Sequence, residues 1–175
     1  MQGWQGFYGL VGQTAATLLG LLFVSVSINA ETILGEAHRH SRRLAEQAFQ
    51  NYLCVVAVSI LDFFPRIDRY AYAQSVLWVA GIWGVWAVVR TAQAFLNPPP
   101  DQPMILRLRR YLPSIAGYGL LLYACIVTIR RGTDEAMYAA TAVLLLMLSA
   151  TIVSWDLLIQ MAARRFGPRE GGTDS

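Results

Sequence analysis

Charge is scarce in this chain, and lysine is missing altogether. Only 14% of the 175 residues are charged, and all 14 basic residues are arginine. Soluble domains carry about 25% charged residues. So low a share excludes an ordinary soluble domain, a disordered chain and a coiled coil. The arginines are scattered over several loops and line no single helix face, so nucleic acid is not expected as a partner. Cysteine occurs twice, as Cys54 and Cys125, both inside apolar runs. Neither has a Cys or His at metal-ligand spacing, and both read as buried thiols acting as small hydrophobes. Histidine also occurs only twice, as His38 and His40 around Arg39. Two residues apart on a helix, they point in different directions, and the arginines beside them repel a cation. No metal site is expected there, and two histidines in one loop exclude haem ligation by histidines from two helices. No G-x-S-x-G, H-E-x-x-H, P-loop or dinucleotide fingerprint occurs. The chain reads as a non-enzyme with no catalytic residue and no cofactor.

What fills the chain is apolar sequence. Hydrophobic residues make up 55% of it, and the mean hydropathy is +0.42. Five Leu/Ala/Val-rich runs stand out, at about 7–29, 48–64, 71–95, 112–129 and 135–161. About 20 apolar residues cross a bilayer as a helix. Barrel strands would alternate apolar and polar residues over about 10 positions, and these runs do not. The expected fold class is therefore all-α: one polytopic transmembrane bundle of five spans over residues 1–166. A flexible polar tail is expected at 167–175. The N-terminus has no basic region of the signal-peptide kind, so the first run reads as a retained span. Pro65 closes the second run. The stretch Asn97-Pro98-Pro99-Pro100-Asp101-Gln102-Pro103 reads as a stiff loop.

Orientation follows from the arginines. With the N-terminus outside, the cytoplasmic side holds 10 of them and the outer side 4. Positive charge favours the cytoplasmic side, so the expectation is N-out and C-in. Trp4, Tyr8, Tyr70, Tyr72, Trp78, Tyr111 and Trp155 lie near span ends and suit an aromatic belt at headgroup depth. The longest loop, 30–47, is then cytoplasmic. Ile33, Leu34, Ala37, Leu44, Ala45 and Ala48 recur in it at helical spacing, and Arg39, Arg42 and Arg43 lie between them. It reads as an amphipathic elbow, or as a helical extension of the neighbouring spans. This basic elbow has three possible surroundings: anionic headgroups, a partner protein or water.

Polar residues inside a span are costly in lipid and so point to contacts or function. Arg90 and Asp156 sit at similar depth in the third and fifth spans and form a candidate intramembrane ion pair. In the first span, Gln13, Thr17, Gly20, Val24, Ser27 and Glu31 stay within about 40° of one line. That stripe is either a dry packing face or the lining of a wet pore. Gly12, Ala16 and Gly20 form an adjoining small-residue ladder, which lets helix backbones approach closely. Ser149, Asp156 and Gln160 give the fifth span a polar edge. Asp62, Arg66 and Arg69 cluster at the outer end of the second span, where Pro65 interrupts ideal pairing. Gly117-x-Gly119 is a candidate softened site in the fourth span.

The opening Phe7-Tyr8-Gly9-Leu10-Val11-Gly12 and the Leu/Gly-rich run after it resemble many small prokaryotic membrane proteins. The expected location is the bacterial inner membrane. The expected partners are the lipid bilayer and other membrane subunits or further copies of the chain. Three functions follow in order. The first is an accessory, assembly or regulatory subunit that works by helix packing. The second is a small homo-oligomeric cation channel lined by the first-span stripe, with Glu31 at its inner mouth. The third is a small solute carrier, ranked last because midplane polar groups are few and no pair of Gly/Pro-interrupted spans occurs in matching positions.

Overall fold

The computed structural model describes residues 4–29, 39–62, 69–96, 104–132 and 136–166, all but a few of them helical. The helices are α1 (Gln5–Ile28), α2 (Arg39–Asp62), α3 (Arg69–Leu96), α4 (Met104–Arg131) and α5 (Ala136–Phe166). All five are long and apolar enough to cross a membrane.

Three boundaries differ from expectation. α2 begins at Arg39, so 39–47 of the expected elbow is the opening of α2 itself. Its apolar positions are the reason: Leu44, Ala45 and Ala48 continue the buried face of the span below them. Residues 30–38, with Glu31 and His38, lie outside the described residues. α4 begins at Met104, ahead of Pro113, and carries that proline inside the helix. Pro113 has no N–H, so the Arg109 carbonyl lacks its usual helix donor. α5 runs on to Phe166. The tail at 167–175 and the proline-rich loop also lie outside the described residues.

Local chemistry closes two helix ends. Asn29 Nδ2 donates to the Ser25 carbonyl at 2.9 Å, covering a carbonyl at the end of α1. Gly132 follows α4 with φ +64° and donates its N–H to the Thr128 carbonyl at 3.0 Å. Glycine adopts that left-handed conformation at little cost.

α2, α3, α4 and α5 pack in a ring, each against the next, and α1 lies outside it against α2, edging onto α5. Burial reflects this. Half of the α2 span is buried inside the molecule, against 17% of the α1 span. The core is built on Leu44, Tyr52, Val55 and Val58 of α2, Leu121 of α4, and Leu146, Val153 and Leu157 of α5. Lipid tails are as apolar as leucine, so close packing rather than water exclusion holds such helices together.

Two glycines permit the closest approaches. A Cβ on Gly12 would stand 2.6 Å from the Ser59 Cβ, so α1 meets α2 almost backbone to backbone. A Cβ on Gly117 would stand 2.8 Å from Leu146 Cγ and 3.2 Å from the Ala142 carbonyl. Gly117 is thus the notch in α4 that receives Leu146 of α5. Gly119 has open space around it.

Gly117→Val should therefore lower stability by about 1–3 kcal/mol, the usual cost of overpacking. Gly119→Ala should change it by less than about 0.5 kcal/mol in either direction. Thermal unfolding of the two variants in detergent, followed by circular dichroism, checks both.

Candidate functional site

The polar centre of the bundle is Asn51 on α2. It lies on the same face as Leu44, Ala48, Val55 and Ser59, within about 80° around the helix. That face is buried, and Asn51 is buried with it. Its Oδ1 accepts the hydroxyls of Ser114 and Tyr118 from α4, each at 3.2 Å. Its Nδ2 donates to Ser149 Oγ on α5 at 3.2 Å. One amide thus ties three helices at one point. Two more contacts run from α2 to α5. Tyr52 and Thr151 share a bond at 3.1 Å, and Ser41 donates to Gln160 Oε1 at 3.5 Å. Thr151 spends its hydroxyl proton on the Met147 carbonyl, so Tyr52 is the donor in the first. Beside Asn51 is a polar cavity of about 10 Å³, bounded by Gln47, Arg90, Thr91, Tyr111 and Ser114. That is close to the least volume that holds one water.

Asn51 is not among the polar span residues singled out from the sequence, which are the charged ones with Gln13, Thr17, Ser27, Ser149 and Gln160. The signal was available: an amide in the middle of an apolar stripe has nowhere to go but inward. The sequence pattern did place Ser149 and Gln160 on one polar edge, and that edge meets α2.

The Arg90–Asp156 pairing is corrected. Arg90 Nη2 bonds Glu46 Oε2 at 3.3 Å, and Arg42 Nε bonds Glu46 Oε1 at 3.0 Å. The cause is the helix order. α3 packs on α2 and α4, while Asp156 belongs to α5 on the far side of α2. Equal depth is not adjacency. The Arg90 guanidinium also lies 5.2 Å from the Trp86 ring centre, within cation–π range.

The first-span stripe faces away from the bundle. Gln13, Thr17, Gly20, Val24 and Ser27 are all exposed, while Tyr8, Val11, Ala15 and Leu22 are buried on the opposite side of α1. Thr17 turns its hydroxyl back onto the Gln13 carbonyl at 2.9 Å. The Gln13 amide has no hydrogen-bond partner among the described residues. The ladder divides: Gly12 packs internally on Ser59, while Ala16 and Gly20 face outward. Glu31 lies outside the described residues.

At the other end of the bundle, Asp62 is half-buried beside a small cavity of about 40 Å³ that Trp4, Tyr8, Tyr72 and Cys125 also line. Arg66 lies outside the described residues; Arg69 opens α3 and Arg39 opens α2, with side chains outside the description. Arg43 is exposed on α2. Tyr8 is buried and Tyr72 half-buried, so these two belong to the interior and not to the expected belt; Tyr70, Trp78 and Trp155 are exposed. Cys54 and Cys125 are buried free thiols. Among the described residues no three His, Cys, Asp or Glu side chains gather as metal ligands do.

Removing the Asn51 amide strands three hydroxyl-bearing partners in the core. Asn51→Ala should cost about 1–3 kcal/mol of stability. Ser149→Ala, which removes one bond, should cost about 0.6 kcal/mol, the average for interhelical bonds in membranes. Unfolding titrations in mixed detergent micelles give both values. Family models, curated proteins and solved structures give no match to this chain.

Proposed function

We propose that this chain is a non-catalytic integral membrane subunit. It works by helix packing, as an accessory, assembly or regulatory component of a larger membrane complex. The outward face of α1 is its docking surface. The observation that carries this reading is Gln13. Its amide stands on an exposed face with no partner among the described residues, about 12 Å along a helix long enough to span. An unmatched amide in hydrocarbon is costly, and a neighbouring helix relieves that cost. Ala16 and Gly20 beside it leave room for such a helix to come close. Thr17 and Ser27 add hydroxyls along the same face.

The 10-to-4 division of arginines supports N-out and C-in in a bacterial inner membrane. The basic opening of α2, with Arg42 and Arg43, then lies on the cytoplasmic side. A second reading rests on the same face. A ring of copies meeting through α1 would bring Gln13, Thr17 and Ser27 together around a cation path, with Glu31 at its mouth.

Native mass spectrometry of the tagged chain from its own host separates the two. Larger subunits should co-purify with it. The double variant Gln13→Leu, Gly20→Ile should lose at least about tenfold of that association, or about 1.4 kcal/mol. Its thermal unfolding should stay within about 0.5 kcal/mol of the parent, because neither residue touches the bundle. A ring of this chain alone that carries ions in liposomes would establish the channel instead. A monomer, or co-purification that the double variant leaves intact, would overturn docking through this face.

A further inference from the structure

α1 and α3 both pack on α2 but form no packed interface with each other. A lateral groove of about 470 Å³ remains between them. Leu22, Phe23 and Val26 of α1 form one wall, and Ile82, Trp83 and Trp86 of α3 the other. Its floor is α2, from Ala45 to Leu53. Along α2 (Ala45 to Leu53) and α3 (Ile82 to Arg90) this covers eight residue steps, or about 12 Å of depth. One leaflet contributes about 15 Å of hydrocarbon, so the groove follows most of one leaflet.

The groove ends in charge. Arg90, Glu46 and, one turn further out on the same face of α2, Arg42 stand at that end. Two guanidinium groups against one carboxylate leave a net charge of +1. Glu46 occupies only Nε of Arg42 and Nη2 of Arg90. The terminal nitrogens of Arg42 have no partner among the described residues, and that side chain is 62% exposed. Arg90 Nη1 is buried, so the accessible donors are the terminal nitrogens of Arg42. One phosphodiester monoanion balances this charge and matches the donors that remain, since guanidinium groups bind phosphate oxygens in pairs.

We propose that this groove binds one anionic phospholipid. The phosphate sits against Arg42 and the Arg90–Glu46 pair, and an acyl chain lies along the apolar wall between α1 and α3. Charge complementarity selects the headgroup. A zwitterionic lipid brings a further cation to side chains that among the described residues already carry a net +1, whereas a phosphatidylglycerol-type headgroup does not. The groove lies on the bundle side of α1, away from the exposed stripe. The proposal therefore does not rest on docking through that stripe.

The full chain should be reconstituted in vesicles of equal phosphatidylglycerol and phosphatidylcholine with matched acyl chains. It is then extracted gently and weighed by native mass spectrometry. One phosphatidylglycerol should remain on each chain, in at least about tenfold preference to phosphatidylcholine, which is about 1.4 kcal/mol. Arg42→Gln removes an exposed guanidinium, leaves the fold in place, and should abolish most of that preference. Leu53→Trp narrows the apolar floor and should reduce retention of both lipids. Circular dichroism confirms that each variant is folded. Equal retention of the two lipids would overturn the proposal. So would a preference that Arg42→Gln leaves unchanged, or a second copy of the chain that occupies the groove in place of lipid.

Discussion

Asn51 must satisfy an amide buried inside the bundle, and the arrangement of the ring depends on how it does so. Its carbonyl oxygen takes two hydroxyls from α4 and its nitrogen gives one bond to α5. These bonds hold α2, α4 and α5 in one rotational setting about their axes. Rotating α2 by one residue, about 100°, would break all three bonds. Apolar contacts alone define such a setting weakly, because leucine meets lipid as readily as it meets another leucine. The polar bonds therefore choose the orientation, and close packing then stabilises it.

The same constraint explains why α2 is the most buried helix. It carries Ser41, Gln47, Asn51 and Ser59, all of them buried. In water such a helix would expose these groups. In a bilayer they are cheapest inside, where Ser41 and Asn51 find hydroxyl and amide partners on neighbouring helices. α1 is the counterpart. It meets α2 closely at Gly12 and Ser59, and offers its opposite face to the surroundings. Because α1 and α3 each use α2 as their support, the space between them is left open.

Arg90 shows what depth alone leaves undecided. Its depth and that of Asp156 follow from counting residues along two spans. Which acid it meets depends on which helix lies beside α3, and that is α2 with Glu46. Glu46 also serves Arg42 within its own helix, at the favourable four-residue spacing. Both carboxylate oxygens are thus occupied: the Arg42 pair is exposed, where such pairs contribute about 0–1 kcal/mol, and the Arg90 pair is half-buried. Their larger consequence is to place two guanidinium groups at one mouth of the groove. The α1 stripe was legible in its spacing, since the period of an α-helix puts Gln13, Thr17, Gly20 and Ser27 on one line. Its direction was not, because a polar stripe reads the same whether it faces inward or outward.

The sequence by itself determined the number of helices, their approximate limits and their membrane-spanning character. Those properties come from local composition: runs of apolar residues, a proline or polar break between them, and the low share of charge. The start of the fourth span was the weakest limit, since α4 opens at Met104, eight residues ahead of the apolar run at 112. Only the tertiary structure decided which helices are neighbours, that Asn51 is the centre, that Gly117 is a notch for Leu146 and that Arg90 meets Glu46. Each of these depends on the rotation and order of helices around the ring. Rotation and order are set by side chains from different spans meeting in space, and no stretch of one helix encodes its neighbour.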